Sequence, residues 1–493
     1  MPAPDLAVLA RRAALVARLR SLVPGEGVIA DEVGLRAYDC DGLTAYRQVP
    51  LAVVLPERTE QVSAVLRFCQ SEGVKVVPRG AGTGLSGGAL PLTDGIVLGL
   101  GKFNRILEVD AANRCAVVQP GVTNLSVSQA AAPHGLYYAP DPSSQIACTI
   151  GGNVAENSGG VHCLKYGVTA TNLLGVELVL MDGTVVRLGG KAGDAGGYDL
   201  LGVVTGSEGL LGVVTEATVR LLPAPATARA LLLGFTTSAD AARCVAAVIA
   251  AGIVPAGMEM MDKPAIDATE AFCHPGYPMD AGAILIVELD GHAVEVDELV
   301  ERVATIARDG GATTVRASAD EDERLLFWKG RKSAFPAVGR ITPDYLCMDG
   351  TIPRARVAEV LERMTALAAA RGLRVANVFH AGDGNLHPLI LYDANEPGQL
   401  EAAEALGADI LKLCVEVGGV LTGEHGVGIE KRDLMGTMFS DADLAQQQRL
   451  KCAFDPDGLA NPGKVFPTLH RCAELGRMHV HEGQLKFAHL PRF

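Results

Sequence analysis

The glycine-rich stretch PRGAGTGLSGGAL (Pro78–Leu90) indicates how the first half of the chain folds. Within it, GTGLSG (Gly82–Gly87) satisfies the G-x-G-x-x-G pattern of nucleotide-binding βαβ units, in which a strand leads into the glycines and a helix follows directly. A short apolar run, Val74–Pro78, precedes the glycines as that pattern requires. After them, however, Pro91 and a cluster of turn residues interrupt any helix before a second apolar run, Ile96–Leu100. The stretch therefore predicts a strand, a glycine loop and another strand, and it disfavours a Rossmann unit.

Two loops of this domain are built from small residues. Five of the nine residues in Gly80–Gly88 are glycine, and a second stretch, DPSSQIACTIGGNVAENSGG (Asp141–Gly160), combines glycines with serine, threonine and asparagine. Glycine has a high backbone entropy cost, which is understandable where a ligand must approach the backbone closely. One such loop alone could be an ordinary surface loop. Two of them, both rich in unobstructed backbone N–H groups, indicate one extended polyanionic ligand.

Length, charge and cysteine content limit the classes of protein that fit. With 493 residues the chain is too long for one core, so two or three domains are expected. Its 43 basic and 57 acidic residues give a net charge of -14, which argues against binding to nucleic acid or to anionic lipid. The longest apolar run, Cys244–Val254, is too short to cross a bilayer, so a soluble or peripheral protein is expected.

The N-terminus and the cysteines bear on localisation. The Arg-rich segment Met1–Val23 could be a transit peptide or an opening surface helix, and its single serine favours the helix. The 11 cysteines are scattered singly, with no C-x-x-C pair. This pattern indicates reduced thiols in a cytoplasmic protein and offers no ligand set for an iron–sulfur cluster.

The pattern of elements changes halfway along the chain. From about Pro50 to Pro223, short β-like runs alternate with helical stretches, and Pro223–Ala230 resembles a linker. Beyond it, strands and amphipathic helices predict an antiparallel sheet with helices on one face, followed by a helix over Ser440–Ala453. The expected fold is α+β, with an N-terminal helical segment 1–49, a ligand-binding domain 50–225, a second α+β domain 226–435 and a C-terminal segment 436–493.

Two further glycine-rich stretches contain residues suited to metal binding. FHAGDGNLHPLI, Phe379–Ile390, places His380 and His387 on either side of a turn, and TGEHGVGIEK contains Glu424 and His425. Histidines at this spacing are more often structural than ligands, His425 could be a hydrogen-bonded core histidine, and Glu424 could cap a loop. Together, two imidazoles and one carboxylate would make a three-ligand catalytic site with open positions for water or substrate.

Four stretches together resemble a known family: Arg79–Leu90, Asp141–Gly160, TGSEGLLGVVTE (Thr205–Glu216) and AFDPDGLANPGKVFP (Ala453–Pro467). They look like the FAD-binding domain of the vanillyl-alcohol oxidase type, built in two parts and followed by an α+β substrate (cap) domain. The first loop has no histidine to tether a flavin, so the resemblance implies non-covalent FAD. It implies cofactor contacts from Arg79, Gly80, Gly82, Thr83, Gly84, Leu85, Ser86, Pro140, Asp141, Ser144, Thr149, Gly151, Gly152, Ser158, Gly159, Gly160, Glu208, Val214 and Asn461.

The histidine stretches sharpen this resemblance. H-x-G-D-G-N-x-H followed by E-H is similar to the signature of the metal-dependent 2-hydroxyacid dehydrogenases of this flavin family. By that similarity His380, His387 and Glu424 would bind a divalent metal, zinc or another transition metal. His425 would be the catalytic base, and Arg331 would hold the substrate carboxylate. The implied reaction is removal of the hydroxyl proton by His425 and hydride transfer from the α-carbon to flavin N5.

Other segments resemble the glycolate-oxidising members of this branch: Cys40–Arg47, Phe327–Arg354 and Leu469–Phe487. Apolar Pro388 and Leu389 follow His387, where the 2-hydroxyglutarate dehydrogenases of this family are expected to have polar residues for a second carboxylate. The resemblance therefore implies a small substrate with one carboxylate. The resemblance implies oxidation of glycolate to glyoxylate, with an iron–sulfur subunit and a second flavoprotein-like subunit passing electrons to quinone. The protein would be cytoplasmic, peripheral on the inner membrane through those partners. D-lactate as substrate, a non-catalytic flavin-carrying subunit and a metal-dependent hydrolase are the alternatives.

Overall fold

The computed structural model describes residues 1–192 and 196–467. The segment Leu469–Phe487, whose sequence contributed to the resemblance, lies outside these ranges, as does the rest of the expected C-terminal segment from residue 468 onwards. Within the described ranges, none of the helices combines the length and the apolar character needed to cross a bilayer.

The first part of the chain forms a small mixed sheet with helices packed on it. Its strands are ordered β1-β2-β4-β3, with β2, β4 and β3 parallel and β1 antiparallel to β2. The apolar side chains of α4 recur every three or four residues and are buried against this sheet, and the helix ends at Gly73 in the left-handed conformation. The elements are α1 (Leu6–Ala10), α2 (Arg12–Leu22), β1 (Val28–Ile29), α3 (Glu32–Arg36), β2 (Ala52–Val54), α4 (Thr59–Glu72), β3 (Lys75–Arg79) and β4 (Gly95–Gly99).

A five-stranded antiparallel sheet completes the first half, in the order β5-β6-β10-β8-β9, and β7 pairs separately with β11. The elements are β5 (Ile106–Asp110), β6 (Cys115–Val118), α5 (Asn124–Ala131), β7 (Leu136–Tyr137), α6 (Ile150–Glu156), α7 (Cys163–Tyr166), α8 (Thr169–Asn172), β8 (Leu173–Val179), β9 (Val185–Gly189), α9 (Leu200–Val204), β10 (Val213–Arg220) and β11 (Leu222–Pro223). Strand, glycine loop and strand follow one another from β3 to β4, which confirms the prediction that no helix follows the glycines.

The second half contains a nine-stranded antiparallel sheet. Its main path is β15-β12-β14-β13-β18-β19-β17, and β20 joins β16 to β18. The elements are β12 (Thr227–Phe235), α10 (Ser238–Ala250), β13 (Gly257–Asp262), α11 (Lys263–Cys273), β14 (Ala283–Gly291), α12 (Ala293–Asp309), β15 (Thr314–Ala317), α13 (Glu321–Val338), β16 (Asp344–Cys347), β17 (Gly350–Thr351), α14 (Val357–Ala370), β18 (Arg374–His380), β19 (Asn385–Leu386), β20 (Pro388–Tyr392), α15 (Gln399–Glu416), α16 (Met435–Met438) and α17 (Asp441–Phe454).

Helices cover both faces of this sheet, so the prediction of helices on one face is wrong. Along β14, Leu285 and Val287 belong to a core shared with α10, α12, α14 and α15, whereas Ile284 and Ile286 belong to a second core shared with α11 and α13. Successive strand residues point to opposite faces, so a strand buried on both faces must be apolar throughout. The run AILIV at the start of β14 shows this composition. The prediction of a linker over Pro223–Ala230 is also wrong at its end, because β12 begins at Thr227.

The chain returns to the first half after α17. Val76 of β3 donates its N–H to the carbonyl of Leu459 at 2.9 Å, and Asn461 donates its N–H to the carbonyl of Val76 at 2.8 Å. This pairing brings Asn461 beside the strand that leads into the glycine loop.

Candidate active site

The glycine loop and the second loop pack directly against each other. A Cβ at Gly80 would lie 2.3 Å from Oγ1 of Thr149, the residue that precedes α6. Gly82 and Gly87 have φ values of 74° and 79°, which side-chain-bearing residues rarely adopt. Glycine is therefore required here both by backbone conformation and by the close approach of the second loop.

A cavity of about 420 Å³ opens between these loops and the second half of the chain. It is lined on one side by most of the residues expected to contact the cofactor: Arg79, Gly80, Gly82, Thr83, Gly84, Leu85, Ser144, Thr149, Gly151, Gly152, Ser158, Glu208 and Val214. On the other side it is lined by Lys332, Phe335, Pro336, His387, Glu424 and His425. A volume in the range of about 300–1,000 Å³ is typical of cofactor and small-molecule sites.

Six residues predicted to contact the cofactor do not line this cavity: Ser86, Pro140, Asp141, Gly159, Gly160 and Asn461. They lie next to it and contact neighbouring protein atoms. The carbonyl of Ser86 accepts the N–H of Ile429 at 2.9 Å, and that of Pro140 accepts the Asn124 side chain at 2.9 Å. A Cβ at Gly159 would lie 2.7 Å from the Glu424 carboxylate.

Three candidate metal ligands converge on one point. Nε2 of His380 lies 3.3 Å from Oε1 of Glu424, and Nε2 of His387 lies 3.5 Å from the same oxygen. One ligand atom from each residue lies within 4.8 Å of the other two. His380 ends β18 and His387 immediately precedes β20, so the turn between the strands brings the imidazoles together. Two imidazoles and a carboxylate facing a shared point fit a divalent transition metal with open coordination positions.

A buried carboxylate lies behind this cluster. Oε1 of Glu259, on β13, lies 2.7 Å from Nδ1 of His380, and Oε2 accepts a hydrogen bond from Nε of Arg331 at 2.9 Å. Burial alone would raise the pKa of Glu259, but His380 and Arg331 hold this pKa below its usual value. A carboxylate on the far nitrogen of a ligating imidazole fixes its tautomer and ring orientation. Glu259 therefore leaves Nε2 of His380 free to face the metal point.

Arg331, expected to hold the substrate carboxylate, is 1% exposed and lies on α13. It is absent from the cavity lining, whereas the next residue, Lys332, lines the cavity and is exposed. The Glu259 carboxylate connects Arg331 to His380, so the arginine is joined to the site through this ion pair.

Asp349, fully buried, fixes the loop that carries Glu424 and His425. Its carboxylate accepts hydrogen bonds from the Thr422 hydroxyl at 2.5 Å and from the backbone N–H groups of Gly423 at 3.0 Å and His425 at 2.9 Å. Burial alone would raise the pKa of Asp349, but His425, His387 and other neighbours hold it well below its usual value. The ionised Asp349 carboxylate thus holds the backbone of this loop through several hydrogen bonds.

His425 lines the cavity with its ring stacked on that of His387, at a centroid distance of 4.8 Å and an interplanar angle of 14°. Burial lowers the pKa of His425 to about 4, so the imidazole is neutral near pH 7. Nδ1 has no hydrogen-bond partner within the described part of the chain. A neutral imidazole facing a cavity can accept a proton.

His162 joins the two halves of the chain. Nδ1 of His162 lies 2.9 Å from Asp141, which was expected to contact the cofactor, and Nε2 lies 3.2 Å from Glu288 on β14. Burial would lower the pKa of His162, but Asp141 and Glu288 raise it to about 10. The imidazolium therefore bridges two carboxylates near neutral pH.

Sequence reasoning missed Glu259 and Asp349 as site residues. Both are acids in or beside largely apolar strands, and local sequence gives no sign of which partners they meet. An acid inside an otherwise buried strand is itself a signal, because such a charge must be paired.

Comparison with known proteins agrees with this architecture. Residues 50–189 match a family model described as "FAD binding domain", and residues 224–465 match "FAD linked oxidases, C-terminal domain". The solved structure of 4-ethylphenol oxidase from Gulosibacter chungangensis superposes with a TM-score of 0.78 at 20% identity, covering 94% of this chain and 98% of that one. The fold is thus the FAD-binding fold of the vanillyl-alcohol oxidase type, and FAD is the cofactor.

Two curated relatives narrow the class of protein to which the chain belongs. Glycolate oxidase subunit GlcD of Escherichia coli K12 is 58% identical over 98% of this chain and 97% of its own length. D-lactate dehydrogenase of Archaeoglobus fulgidus is 37% identical over 85% of this chain and 91% of its own. The chain belongs to the FAD-linked oxidases, in the family of hydroxyacid oxidoreductases that includes these two proteins.

Proposed function

We propose that this chain is the catalytic FAD subunit of a glycolate oxidase, which converts glycolate to glyoxylate. The observation that carries the proposal is the single cavity lined both by the FAD-binding loops and by His387, Glu424 and His425. A substrate bound beside these three residues would also be next to the flavin. The 58% identity to GlcD over nearly the whole chain supports glycolate as the substrate.

His380, His387 and Glu424 hold a divalent metal, zinc or another transition metal, in this proposal. Their buried imidazoles and carboxylate share one point, which suits such an ion. When bound, FAD supplies the two-electron acceptor, and the metal supplies a Lewis acid that lowers the pKa of the substrate hydroxyl. His425 takes the hydroxyl proton on its ring nitrogen. General-base help of this kind contributes about 10² to 10⁴ in rate.

Arg331 binds the substrate carboxylate in this proposal. A guanidinium has five N–H donors in a planar fork, and Glu259 occupies only one side of that fork. Glu259 also neutralises the buried guanidinium before substrate arrives.

D-lactate is the second candidate substrate, because D-lactate dehydrogenases belong to the same family. One extra methyl group in an apolar pocket changes binding by only about 1–3 kcal/mol. The ratio of kcat/KM for the two acids decides between them. A ratio above about 10 in favour of glycolate supports the proposal, and a ratio above about 10 in favour of D-lactate contradicts it.

The metal assignment has its own test. We expect the purified protein to contain about one divalent ion per chain by elemental analysis, and Glu424→Gln to lose it while keeping its FAD. Full metal content in Glu424→Gln would exclude this carboxylate as a ligand.

We further propose that the chain works in a complex with an iron–sulfur subunit and a second flavoprotein-like subunit, in the cytoplasm and at the inner membrane only through these partners. The isolated cysteines offer no cluster ligand set, so any iron–sulfur cluster that accepts the electrons would lie on a partner. Rapid turnover of the single chain with oxygen alone would contradict this. The domains proposed are 1–49, 50–225, 226–435 and 436–493; the match of 224–465 to one family model supports the boundary near 225.

A further inference from the structure

The carboxylate of Glu208 faces the loop that carries His425. Glu208 lies in the turn before β10, is 5% exposed and has a left-handed φ of 51°. Its side-chain oxygens accept hydrogen bonds from the N–H groups of Val427 at 2.6 Å and Gly428 at 2.7 Å. These are the second and third residues after His425. The resemblance to flavoproteins implied a cofactor contact for Glu208, and Glu208 lines the cavity, but each of its carboxylate oxygens also accepts a hydrogen bond from this loop.

The backbone of Glu208 is held on the FAD-binding side. Its N–H donates to the carbonyl of Ala155 at 2.8 Å, and its carbonyl accepts from the side chain of Asn461 at 2.7 Å. The same Asn461 amide donates to the carbonyl of Gly88, at the end of the glycine loop, at 2.9 Å. Glu208 therefore connects both FAD-binding loops and the C-terminal return to the loop of His425.

A second buried carboxyl supports this contact. A Cβ at Gly426 would lie 2.1 Å from Oε2 of Glu156 and 2.9 Å from Oε1 of Glu208, so the two carboxyls and the loop backbone leave no room for another atom. Burial and the neighbouring Glu208 raise the pKa of Glu156 well above its usual value. Burial also raises the pKa of Glu208, but the Val427 and Gly428 N–H groups oppose that rise, so the proton is favoured on Glu156 and Glu208 accepts from the loop.

We propose that Glu208 is a positioning residue for the oxidation inferred above: it fixes residues 424–428, and with them the His425 imidazole, against the FAD-binding loops. The inference rests on the proposed function, because positioning matters only if His425 acts on the substrate. A charge-assisted hydrogen bond to each of two consecutive N–H groups fixes both the distance of the loop from Glu208 and its orientation. Misplacement of a reacting group by about 1 Å can cost about a hundredfold in rate.

The first test is Glu208→Gln, which keeps the size of the side chain but has one acceptor oxygen for two N–H groups. Hydrogen–deuterium exchange is measured on FAD-bound protein without substrate, in a peptide covering residues 423–430. We expect exchange in this peptide to accelerate at least about tenfold, with FAD content unchanged. Anaerobic flavin reduction by glycolate should slow by about tenfold to a hundredfold.

The matched control is Glu270→Gln. The Glu270 carboxylate also accepts two consecutive backbone N–H groups, those of Gly276 at 3.1 Å and Tyr277 at 3.0 Å, but both donate to the same oxygen and Glu270 does not line the cavity. We expect this variant to reduce its flavin at the wild-type rate. If Glu208→Gln does not fold, Glu208→Asp retains the charge but shortens the side chain by one methylene, and the same two effects are expected.

Two results would overturn the inference. One is wild-type loop exchange and wild-type flavin reduction in a folded Glu208 variant. The other is loss of FAD with unchanged loop exchange, which would make Glu208 a cofactor contact. Neither coincides with failure of the proposed function, in which glycolate would not reduce even the wild-type flavin.

Discussion

Replacing Asp349 with asparagine should destabilise the loop that carries Glu424 and His425. Asp349 accepts from the Thr422 hydroxyl and the Gly423 and His425 amides on one side, and from the Asn385 side chain at 2.8 Å on the other. Asparagine has one acceptor oxygen, so in either orientation its NH₂ group faces at least one donor. Losing a hydrogen bond to a charged group costs about 1.5–3 kcal/mol. One or two such losses predict a fall of about 1.5–6 kcal/mol in the free energy of unfolding.

Urea unfolding of the FAD-bound protein, followed by circular dichroism, measures this difference. The matched control is Asp182→Asn, because Asp182 likewise accepts from a backbone N–H and a hydroxyl, both of Thr184, but in an exposed turn. Surface changes of this kind usually stay within about 0.5 kcal/mol. If Asp349→Asn matched the control to within about 0.5 kcal/mol, Asp349 would not be holding the loop.

Three other predictions concern the histidine bridge, the glycine loop and the metal ligands. The histidine bridge stabilises the fold because the folded-state pKa of His162 is raised to about 10. The loss of stability in His162→Gln should therefore be greatest below about pH 6.5 and should disappear as pH rises through about 10. A difference in melting temperature between wild type and variant that grew with pH would contradict this. Gly87→Ala should lose FAD, and the control Gly73→Ala should keep it. Both glycines have a left-handed φ, but only at residue 87 would a Cβ lie 2.4 Å from the Ile429 side chain. Equal FAD absorbance in the two variants would refute the steric argument. Adding a chelator should abolish flavin reduction by glycolate without releasing FAD, and retention of full activity after removal of all bound metal would disprove metal dependence.

The parts of the fold that depend on local sequence were predictable. Glycine and proline mark the strand–loop–strand order around Gly80–Gly88, and the two histidines lie on either side of a turn between strands, as their spacing indicated. The sequence also linked His380, His387 and Glu424 as one site, although 44 residues separate the first from the last, and the structure brings them together.

The parts that depend on distant packing were not predictable. Whether helices cover one or both faces of the nine-stranded sheet depends on α11 and α13, which pack in the second core. Their buried residues recur at helical spacing, but this spacing does not indicate which face of the sheet a helix packs against. The ion pair between Arg331 and Glu259 joins residues 72 positions apart, and no pattern near either residue indicates it. Long-range pairing of buried charges follows from the assembled fold.

Anaerobic stopped-flow mixing of glycolate with the yellow wild-type protein and with His425→Ala, following the absorbance of the oxidised flavin, tests whether His425 is the base. We expect rapid bleaching of the wild type, and in His425→Ala a rate lower by about 10² to 10⁴ with FAD still bound. Bleaching of His425→Ala at the wild-type rate would show that another group takes the proton. A wild-type flavin that glycolate does not bleach would contradict the proposed function itself.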